Sequence, residues 1–243
     1  LGTRWSRKLM TDWAIAASCS FYPSHHITTG EGGMVFSDDE ELMKIARSFA
    51  WWGRDCYCVG SANMLQCGTC GNRFDRWIDG HDVVIDHKYV FTNIGYNLKP
   101  LDMQGAIGLA QLEKFDIIFD KRRTAKKLIQ ASFEKHVNGI KIIDEHETAE
   151  TSWFGVPVIC ETRELKRQLV NHLEKNRIQT RNYFAGNMLL QPAYRHLGNY
   201  ADSPNATWVL DNVFFIGCSP AYGDSVFQYI DDVLREFVWI AQD

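Results

Sequence analysis

The stretch Ser20–Phe36 reads SFYPSHHITTGEGGMVF, and the interpretation of the whole chain starts from it. Two adjacent histidines, His25 and His26, follow a Ser-Phe pair, and the stretch contains no lysine. Imidazole has an unperturbed pKa of about 6.5, so a histidine here can take and return protons near neutral pH. The turn Gly30–Gly33 lacks the Lys-Ser/Thr pair of a phosphate-binding P-loop, so it predicts a backbone turn that leads into a strand at Met34–Phe36.

The same stretch resembles the active-site segment of the DegT/DnrJ/EryC1/StrS sugar aminotransferases, which are fold-type I pyridoxal-phosphate enzymes. Their pattern is Ser-Phe, three residues, a lysine, a short spacer and Glu-Gly-Gly, and His25 stands at the lysine position. A lysine would bind the cofactor covalently, because an activated amine condenses with an aldehyde, and imidazole cannot do so. The resemblance implies that the cofactor is kept as pyridoxamine phosphate, that His25 is the catalytic base and that Ser20 binds the cofactor phosphate. His26 is interpreted as an ordinary loop or core histidine.

Four of the seven cysteines lie close together, in a C-x-C pair and a C-x-x-C pair between Cys56 and Cys70. Thiolates at this density predict a metal or iron-sulfur site, for which zinc is the generic candidate. A disulfide interpretation needs an oxidising compartment, and no export signal is recognisable. The remaining cysteines lie in apolar surroundings and are interpreted as small core side chains. These are Cys19, Cys160 and Cys218.

The runs GRDCYC and TCGNRF, together with histidine in the lysine position, resemble the iron-sulfur branch of this family, the CDP-4-keto-6-deoxyglucose 3-dehydrases. That resemblance implies a 2Fe-2S cluster held by Cys56, Cys58 and Cys70, with Cys67 as the alternative to Cys70. The branch's first ligand is expected just before Leu1, although Cys67 could replace it in a local four-cysteine site. The resemblance also implies a flavin and iron-sulfur reductase that delivers electrons through the cluster.

Two further segments resemble the family. Ile94–Phe115, IGYNLKPLDMQGAIGLAQLEKF, is similar to its GYN signature, which implies a homodimer in which Asn97 reaches the cofactor phosphate of the partner subunit. Gln104 matches the signature's glutamine, whereas Lys99 replaces an arginine and loses its two-pronged hydrogen-bonding geometry. The run QTRNYFAGNMLLQPAY is similar to a segment that returns to the active-site mouth, which implies that Arg181 binds the phosphates of a nucleotide sugar.

The resemblance implies an α/β fold, the C-terminal part of a fold-type I PLP-dependent transferase. The three-layer αβα large domain is expected to be incomplete and to be followed by a small α/β domain. Residues 1–120 are expected to form the C-terminal portion of the cofactor-binding large domain with the cysteine loop. Residues 121–243 are expected to form a linking helix and the small domain. The family's upstream half, with the aspartate that pairs with the pyridine nitrogen, is expected to lie before Leu1.

The local patterns predict individual elements. Ser37 begins a capping box before a helix, and Asp102 to about Val137 contains no proline and predicts one long or broken helix. Further along, strand and helix patterns alternate, with a helix over Arg163–Lys175. The chain of 243 residues is 45% hydrophobic with a formal charge of −4 and no basic tract, which argues against nucleic acid as a partner. No apolar run approaches the roughly 20 residues of a membrane helix, so a cytoplasmic enzyme is expected.

The function that this resemblance implies is loss of the 3-hydroxyl group from a CDP-linked 4-keto-6-deoxyhexose, in dideoxysugar and O-antigen biosynthesis. A related branch that also uses histidine performs similar chemistry on a GDP-linked sugar without a cluster, so the cysteines distinguish the two. Three alternatives remain: a PLP-dependent nucleotide-sugar aminotransferase, a zinc-binding module without catalytic activity, and a non-catalytic relative that binds the cofactor alone.

Overall fold

The computed structural model describes residues 1–56, 73, 74 and 76–240. The chain folds as two compact units. We call Met10–Leu112 the N-terminal unit, and Leu1–Leu9 together with the chain from Glu113 onward the C-terminal unit.

The described residues contain both strands and α-helices. The strands are β1 Arg4–Trp5, β2 Lys8–Leu9, β3 Ala17–Ser20, β4 Gly33–Phe36, β5 Arg76–Ile78, β6 His81–Ile85, β7 Ile140–Ile142, β8 Ala149–Glu150, β9 Gly155–Cys160, β10 Thr180–Asn182 and β11 Val213–Gly217. The α-helices are α1 Glu40–Ala50, α2 Asp102–Leu112, α3 Phe115–His136, α4 Arg163–Lys175, α5 Pro204–Asn212 and α6 Asp224–Arg235. Within the described residues, none of these helices combines the length and the apolar character that a membrane crossing requires.

The C-terminal unit is built around an antiparallel sheet with the strand order β10-β11-β9-β7. Its central strands, β9 (GVPVIC) and β11 (VFFIG), are apolar along their length and supply the centre of the core. Helix α3 contributes Ala125, Ile129 and Phe133, which recur every four residues on one face and are at most 1% exposed. Burying one large apolar side chain contributes roughly 1.5–3 kcal/mol, so this face stabilises the unit.

Helix α4 has the bounds that the sequence predicted. The hydroxyl of Thr162 accepts a hydrogen bond from the Leu165 N–H at 3.1 Å and caps the first turn. Glu164 lies in the first turn and Lys175 in the last, so each charge interacts favourably with the helix dipole at its own end of the helix. The cap and the charges together explain why local reasoning was sufficient here.

The predicted cap of α1 was wrong by two residues. Asp39, not Ser37, is the N-cap, and its Oδ1 accepts from the N–H groups of Glu41 at 2.9 Å and Leu42 at 3.0 Å. The Ser37 hydroxyl instead accepts from the Asp39 N–H and donates to the Ile15 carbonyl. A carboxylate carries the charge that a helix N-terminus favours, so the aspartate caps more strongly than the serine.

The region from Asp102 to His136 contains a broken helix, one of the two forms that its pattern allowed. Helix α2 ends at Leu112 and α3 begins at Phe115. Lys114 lies between them with φ −100° and ψ 0°, outside the helical range. The division between the two compact units falls at the same place.

The described part of the N-terminal unit contains two antiparallel hairpins, together with the helices α1 and α2. Strands β3 and β4 pair from Ala17 opposite Phe36 to Ser20 opposite Gly33, and β5 pairs with β6. Among its described apolar side chains, Ile27 is the buried one, at 4% exposure. Many large apolar side chains of this unit are exposed, including Ile94 at 96% and Met103 at 73%.

Two glycines bring the chain after α1 against the segment that contains the GYN run. A Cβ at Gly95 would lie 2.1 Å from the Gly53 nitrogen, and a Cβ at Gly53 would lie 1.7 Å from the Asn93 carbonyl oxygen. Gly53 also has φ +79°, where glycine is favoured. Hydrogen bonds from the Trp52 N–H to the Tyr96 carbonyl and from the Thr92 N–H to the Gly53 carbonyl, each 2.8 Å, close the contact.

Replacing Gly95 with alanine should therefore destabilise the protein, because the new methyl group meets backbone atoms that cannot rotate away. We expect the free energy of unfolding to fall by about 3 kcal/mol, measured by urea denaturation. Gly105→Ala is the matched control, because a Cβ there meets no atom within 4 Å and Gly105 lies inside α2. It should raise the free energy of unfolding by about 0.5–1 kcal/mol. Equal effects of the two substitutions would contradict the steric argument.

Candidate functional site

The segment from Ser20 to Gly33 forms a closed loop between β3 and β4. Its backbone is joined across the base, where the Phe21 N–H donates to the Gly32 carbonyl at 2.9 Å and the Thr29 N–H donates to the Phe21 carbonyl at 3.1 Å. The buried Thr29 hydroxyl donates to the Glu31 carbonyl at 2.6 Å. The loop geometry is thus fixed by backbone contacts together with the Thr29 hydroxyl.

Ser20 and His25, the two residues singled out in this loop, both contact Tyr22. The Ser20 hydroxyl, at the end of β3, accepts from the Tyr22 N–H at 3.3 Å. The His25 N–H donates to the Tyr22 carbonyl at 2.9 Å, and its half-buried imidazole meets the Tyr22 ring edge-on, with centroids 5.7 Å apart. The sequence analysis did not single out Tyr22, although this aromatic residue stands between Ser20 and His25 in the sequence. The structure thus brings a hydroxyl and an imidazole into one loop.

Gln104 links α2 to this loop. Its side-chain amide donates to the Glu31 carbonyl at 2.7 Å, while its oxygen accepts from the Leu101 N–H at 2.7 Å. The carboxamide oxygen therefore binds the backbone just before α2, and the carboxamide nitrogen binds the backbone of the Gly30–Gly33 turn. The residue that matches the GYN signature's glutamine positions the loop that carries His25.

Asn97 lies on the segment that the two glycines hold. Its backbone pairs with Trp51 in an isolated antiparallel bridge, and its residue is exposed. The Lys99 ammonium lies 4.1 Å from the centroid of the Trp52 ring, and the Arg54 guanidinium lies 4.5 Å from the same ring. The Trp52 ring is thus a cation–π partner for Lys99, and this interaction does not require the planar guanidinium group of an arginine.

Only one of the predicted cluster ligands falls within the described residues. Cys56 is half-buried with a free thiol. Cys58, Cys67 and Cys70 lie outside the described residues, so the cysteine site stays a prediction. In the parts of the chain that the structure describes, no three histidine, cysteine or acidic side chains form a group that could hold a metal.

The residues on either side of the cysteine segment are attached to the same short stretch, residues 86–90. Before the segment, the Asp55 N–H donates to the Val90 carbonyl at 2.9 Å. After it, the Arg73 guanidinium donates to the Asp86 carboxylate at 2.6 and 2.7 Å, and the His87 N–H donates to the Arg73 carbonyl at 3.0 Å. The Arg73 hydrogen bond lowers the pKa of Asp86 below its usual value. The sequence analysis did not predict this ion pair.

The prediction that the other cysteines are core residues is confirmed for Cys160 and Cys218. Both are 0% exposed and belong to the core of the C-terminal unit. Burial raises the pKa of the Cys160 thiol to about 12 and that of Cys218 to about 11, so neither is a thiolate at neutral pH. Cys19, on β3, is half-buried.

Arg181 lies in the C-terminal unit, on the edge strand β10, and is exposed. In the orientation that satisfies both groups, the Gln179 carboxamide oxygen accepts from the Arg181 guanidinium at 2.7 Å. A neutral partner thus orients the guanidinium. This contact does not neutralise its positive charge.

Comparison with known proteins places the chain in one family. The model of the DegT/DnrJ/EryC1/StrS aminotransferase family matches residues 1–235. Lipopolysaccharide biosynthesis protein RfbH of Salmonella typhimurium is 36% identical over 98% of the chain and 54% of that protein. The dTDP-4-dehydro-2,6-dideoxy-D-glucose 3-dehydratase of Saccharopolyspora spinosa is 33% identical over 98% of the chain and 51% of that protein. The chain therefore spans about half the length of these relatives.

Solved structures agree with the fold. The Escherichia coli GDP-4-keto-6-deoxy-D-mannose-3-dehydratase with bound hydrated PLP is 26% identical, with a TM-score of 0.73 over 96% of the chain and 58% of that protein. The same kind of enzyme with bound GDP-perosamine gives a TM-score of 0.74 at 25% identity, with the same shares covered. The expected fold, that of the PLP-dependent aminotransferases, is confirmed.

The ion pair after the cysteine segment should make stability depend on pH. Asp86→Asn should lower the melting temperature at pH 7, because it removes the charge that Arg73 binds. The folded-state pKa of Asp86 is lowered, so its stabilisation is complete above the unfolded pKa of about 3.9 and is lost as the pH falls through the lower folded pKa. The two melting temperatures should therefore converge under acid conditions.

Thermal melts between pH 7 and pH 3 would measure this convergence. Asp82→Asn, a change at an exposed aspartate on the neighbouring strand β6, is the control. A difference between wild type and Asp86→Asn that stays constant over the whole range would contradict the ion-pair argument.

Proposed function

This chain belongs to the DegT/DnrJ/EryC1/StrS aminotransferase family, and we propose that the protein that carries it removes the 3-hydroxyl group of a nucleotide-linked 4-keto-6-deoxyhexose. His25 is the observation on which the proposal rests: an imidazole occupies the family's lysine position, half-buried and fixed against Tyr22. Relatives named as sugar 3-dehydratases, which the chain matches over 97–98% of its length, support the reaction.

The donor set of the loop fits pyridoxamine phosphate held without a covalent bond. Ser20 presents an exposed hydroxyl at the end of a strand, where a phosphate can accept from it. Five residues later His25 offers a proton-transfer group, and no lysine of the loop competes for an aldehyde. A related dehydratase was solved with hydrated PLP, and its name supports the same cofactor class.

When bound, this cofactor would supply the amine that condenses with the 4-keto group and a ring that holds the electron pair left by proton removal until the 3-hydroxyl departs with a pair of electrons. His25 would take a proton at a ring nitrogen and return it, which requires a basic neutral form near pH 7. The edge-on Tyr22 ring limits rotation of the imidazole, and half-burial removes part of its water shell. The contact with the Tyr22 ring favours one orientation of the proton-transfer nitrogen.

We assign Asn97 a role in a homodimer, in which it would contact the cofactor phosphate of the partner subunit. The exposed Asn97 lies in a run of exposed apolar side chains, among them Ile94 at 96% and Leu98 at 66%. A large exposed apolar surface favours association with another protein surface. Gly53 and Gly95 fix the backbone of this run, so the side chain would be presented from a rigid base.

We further assign a 2Fe-2S cluster to Cys56, Cys58 and Cys70, with Cys67 as the alternative to Cys70. The density of thiols supports this, and so does the attachment of both flanking segments to residues 86–90. A cluster of this kind transfers single electrons, so it could pass the electrons of a reductase to the site one at a time. The matching partners are a flavin and iron-sulfur reductase and a CDP-linked sugar, in lipopolysaccharide and O-antigen biosynthesis.

Substitution of His25 tests the base assignment. His25→Asn should lower turnover of the nucleotide-linked 4-keto sugar by about 10²–10⁴-fold, which is the usual contribution of a positioned acid–base group. His25→Lys should bind pyridoxal phosphate covalently, which mass spectrometry after borohydride reduction would show. The same variant should lose the dehydration activity. The neighbouring His26→Asn serves as control and should keep most of the activity. Near-normal turnover in His25→Asn would show that another group is the base.

Cysteine substitutions test the cluster separately. Cys58→Ser should abolish bound iron and acid-labile sulfide and the visible absorption, because each thiolate is a ligand. Cys67→Ser and Cys70→Ser would identify the remaining ligand, with the larger loss expected at Cys70. Cys19→Ser is the control and should keep the iron content. Zinc without iron or sulfide in the purified wild-type protein would overturn the redox assignment and leave a structural metal site.

A further inference from the structure

The outer face of the four-stranded sheet in the C-terminal unit carries side chains that the core does not use. Arg181 on β10 is paired directly with Phe215 on β11, so their side chains project from the same face. The neighbours Phe214 and Ile216 project from the opposite face, into the core, where they are 0% and 2% exposed. The guanidinium of Arg181 thus lies on the face that points away from the core.

Four aromatic rings pack together on this outer side. Phe215 is contacted by Phe154 at 5.9 Å and by Phe184 at 5.7 Å between ring centroids, and Tyr183 lies 5.4 Å from Phe184. The Phe184 ring is nearly parallel to that of Phe154, at an interplanar angle of 27°. We call these four residues the aromatic platform. Phe184 itself remains 66% exposed, so a large apolar ring on top of the platform is open to solvent.

The backbone at Phe184 is held in a conformation that costs free energy. Its φ is +54°, in the left-handed region that phenylalanine rarely adopts. Its N–H donates to the Asn182 carbonyl at 2.6 Å. Glycine would adopt this conformation without strain, and the exposed ring gains little from burial. Its contacts with the other three rings leave Phe184 66% exposed, so burial accounts for only part of the need for a phenylalanine at this position.

The following residues hold this conformation in place. Gly186, at φ +61°, leaves room for the Leu210 side chain, which would lie 2.5 Å from a Cβ. The buried Asn187 donates to the Tyr200 carbonyl and the Thr207 hydroxyl, each at 2.9 Å. Strain that the surrounding structure maintains at an exposed side chain is typical of a binding position.

We propose that Phe184 is the stacking surface for the base of a nucleotide, with Arg181 on the same face binding the diphosphate. A flat exposed ring suits a nucleobase, whose π-face stacks on aromatic side chains, and a guanidinium suits phosphate oxygens. This inference rests on the proposed function, because it names the part of the protein that would recognise the nucleotide of the sugar substrate.

The test measures binding of CDP and GDP against binding of inorganic pyrophosphate, by isothermal titration with the protein that carries this chain. Phe184→Gly should weaken nucleoside diphosphate binding about tenfold, because the stacking partner is gone, and should leave pyrophosphate binding unchanged. Its thermal stability should change little, because relief of the backbone strain offsets the lost contacts with the other three rings. Phe184→Tyr keeps the ring and should restore wild-type affinity. Trp208→Ala, at an exposed aromatic residue of α5 outside the platform, is the control.

Three outcomes would overturn the stacking role: wild-type protein that binds pyrophosphate and nucleotides equally, a Phe184→Gly variant that keeps its preference for nucleotides, or one that loses both ligands alike. Turnover of the 4-keto sugar separates this inference from the proposed reaction. If wild type and Phe184→Gly dehydrate the sugar with the same KM, the stacking role fails and the reaction stands. If the nucleotide binds through Phe184 without dehydration, the reaction fails and the stacking site stands.

Discussion

The contact between Gly53 and Gly95 is the constraint on which the N-terminal unit depends. Because neither position leaves room for a Cβ, the backbone after α1 and the backbone of the GYN run approach closely enough to exchange hydrogen bonds. The same approach places Asn97 opposite Trp51 and begins the stretch that leads to Cys56. One steric requirement thus positions the residue assigned to the cofactor phosphate and the first described cysteine of the proposed cluster.

Local patterns predicted those elements whose causes are local. Arg163–Lys175 was predicted to the residue, because a threonine cap, a first-turn acid and a last-turn lysine are all present in the sequence. The cap of α1 was misplaced because the capping-box pattern fits Ser37, with Glu40 three residues later, whereas the Ser37 hydroxyl is used in a bond to Ile15, twenty-two residues away. That bond belongs to tertiary structure, which a local pattern does not contain.

The candidate site shows the same division. The motif and its spacing indicated Ser20 and His25, because the chemistry of a phosphate donor and a base depends on residue type. The ion pair between Arg73 and Asp86 joins residues thirteen positions apart across the end of the cysteine segment, and no periodicity predicts it. Phe184 was equally inaccessible, because a phenylalanine in the left-handed region contradicts every local preference. Such exceptions to local rules concentrate at functional positions.

In the proposed function, His25 stands where the family has a covalent lysine, which changes what the rest of the site would have to supply. A covalent bond retains a cofactor whatever the quality of the other contacts, whereas a non-covalent cofactor stays bound only through the sum of its contacts. Groups that are already held in position lose little entropy on binding, so rigid contacts raise affinity. The closed loop at Ser20 and the glycine contact behind Asn97 are rigid in this sense. With the roles proposed for Ser20 and Asn97, the backbone geometry at Gly53 and Gly95 would therefore contribute to cofactor affinity as well as to stability.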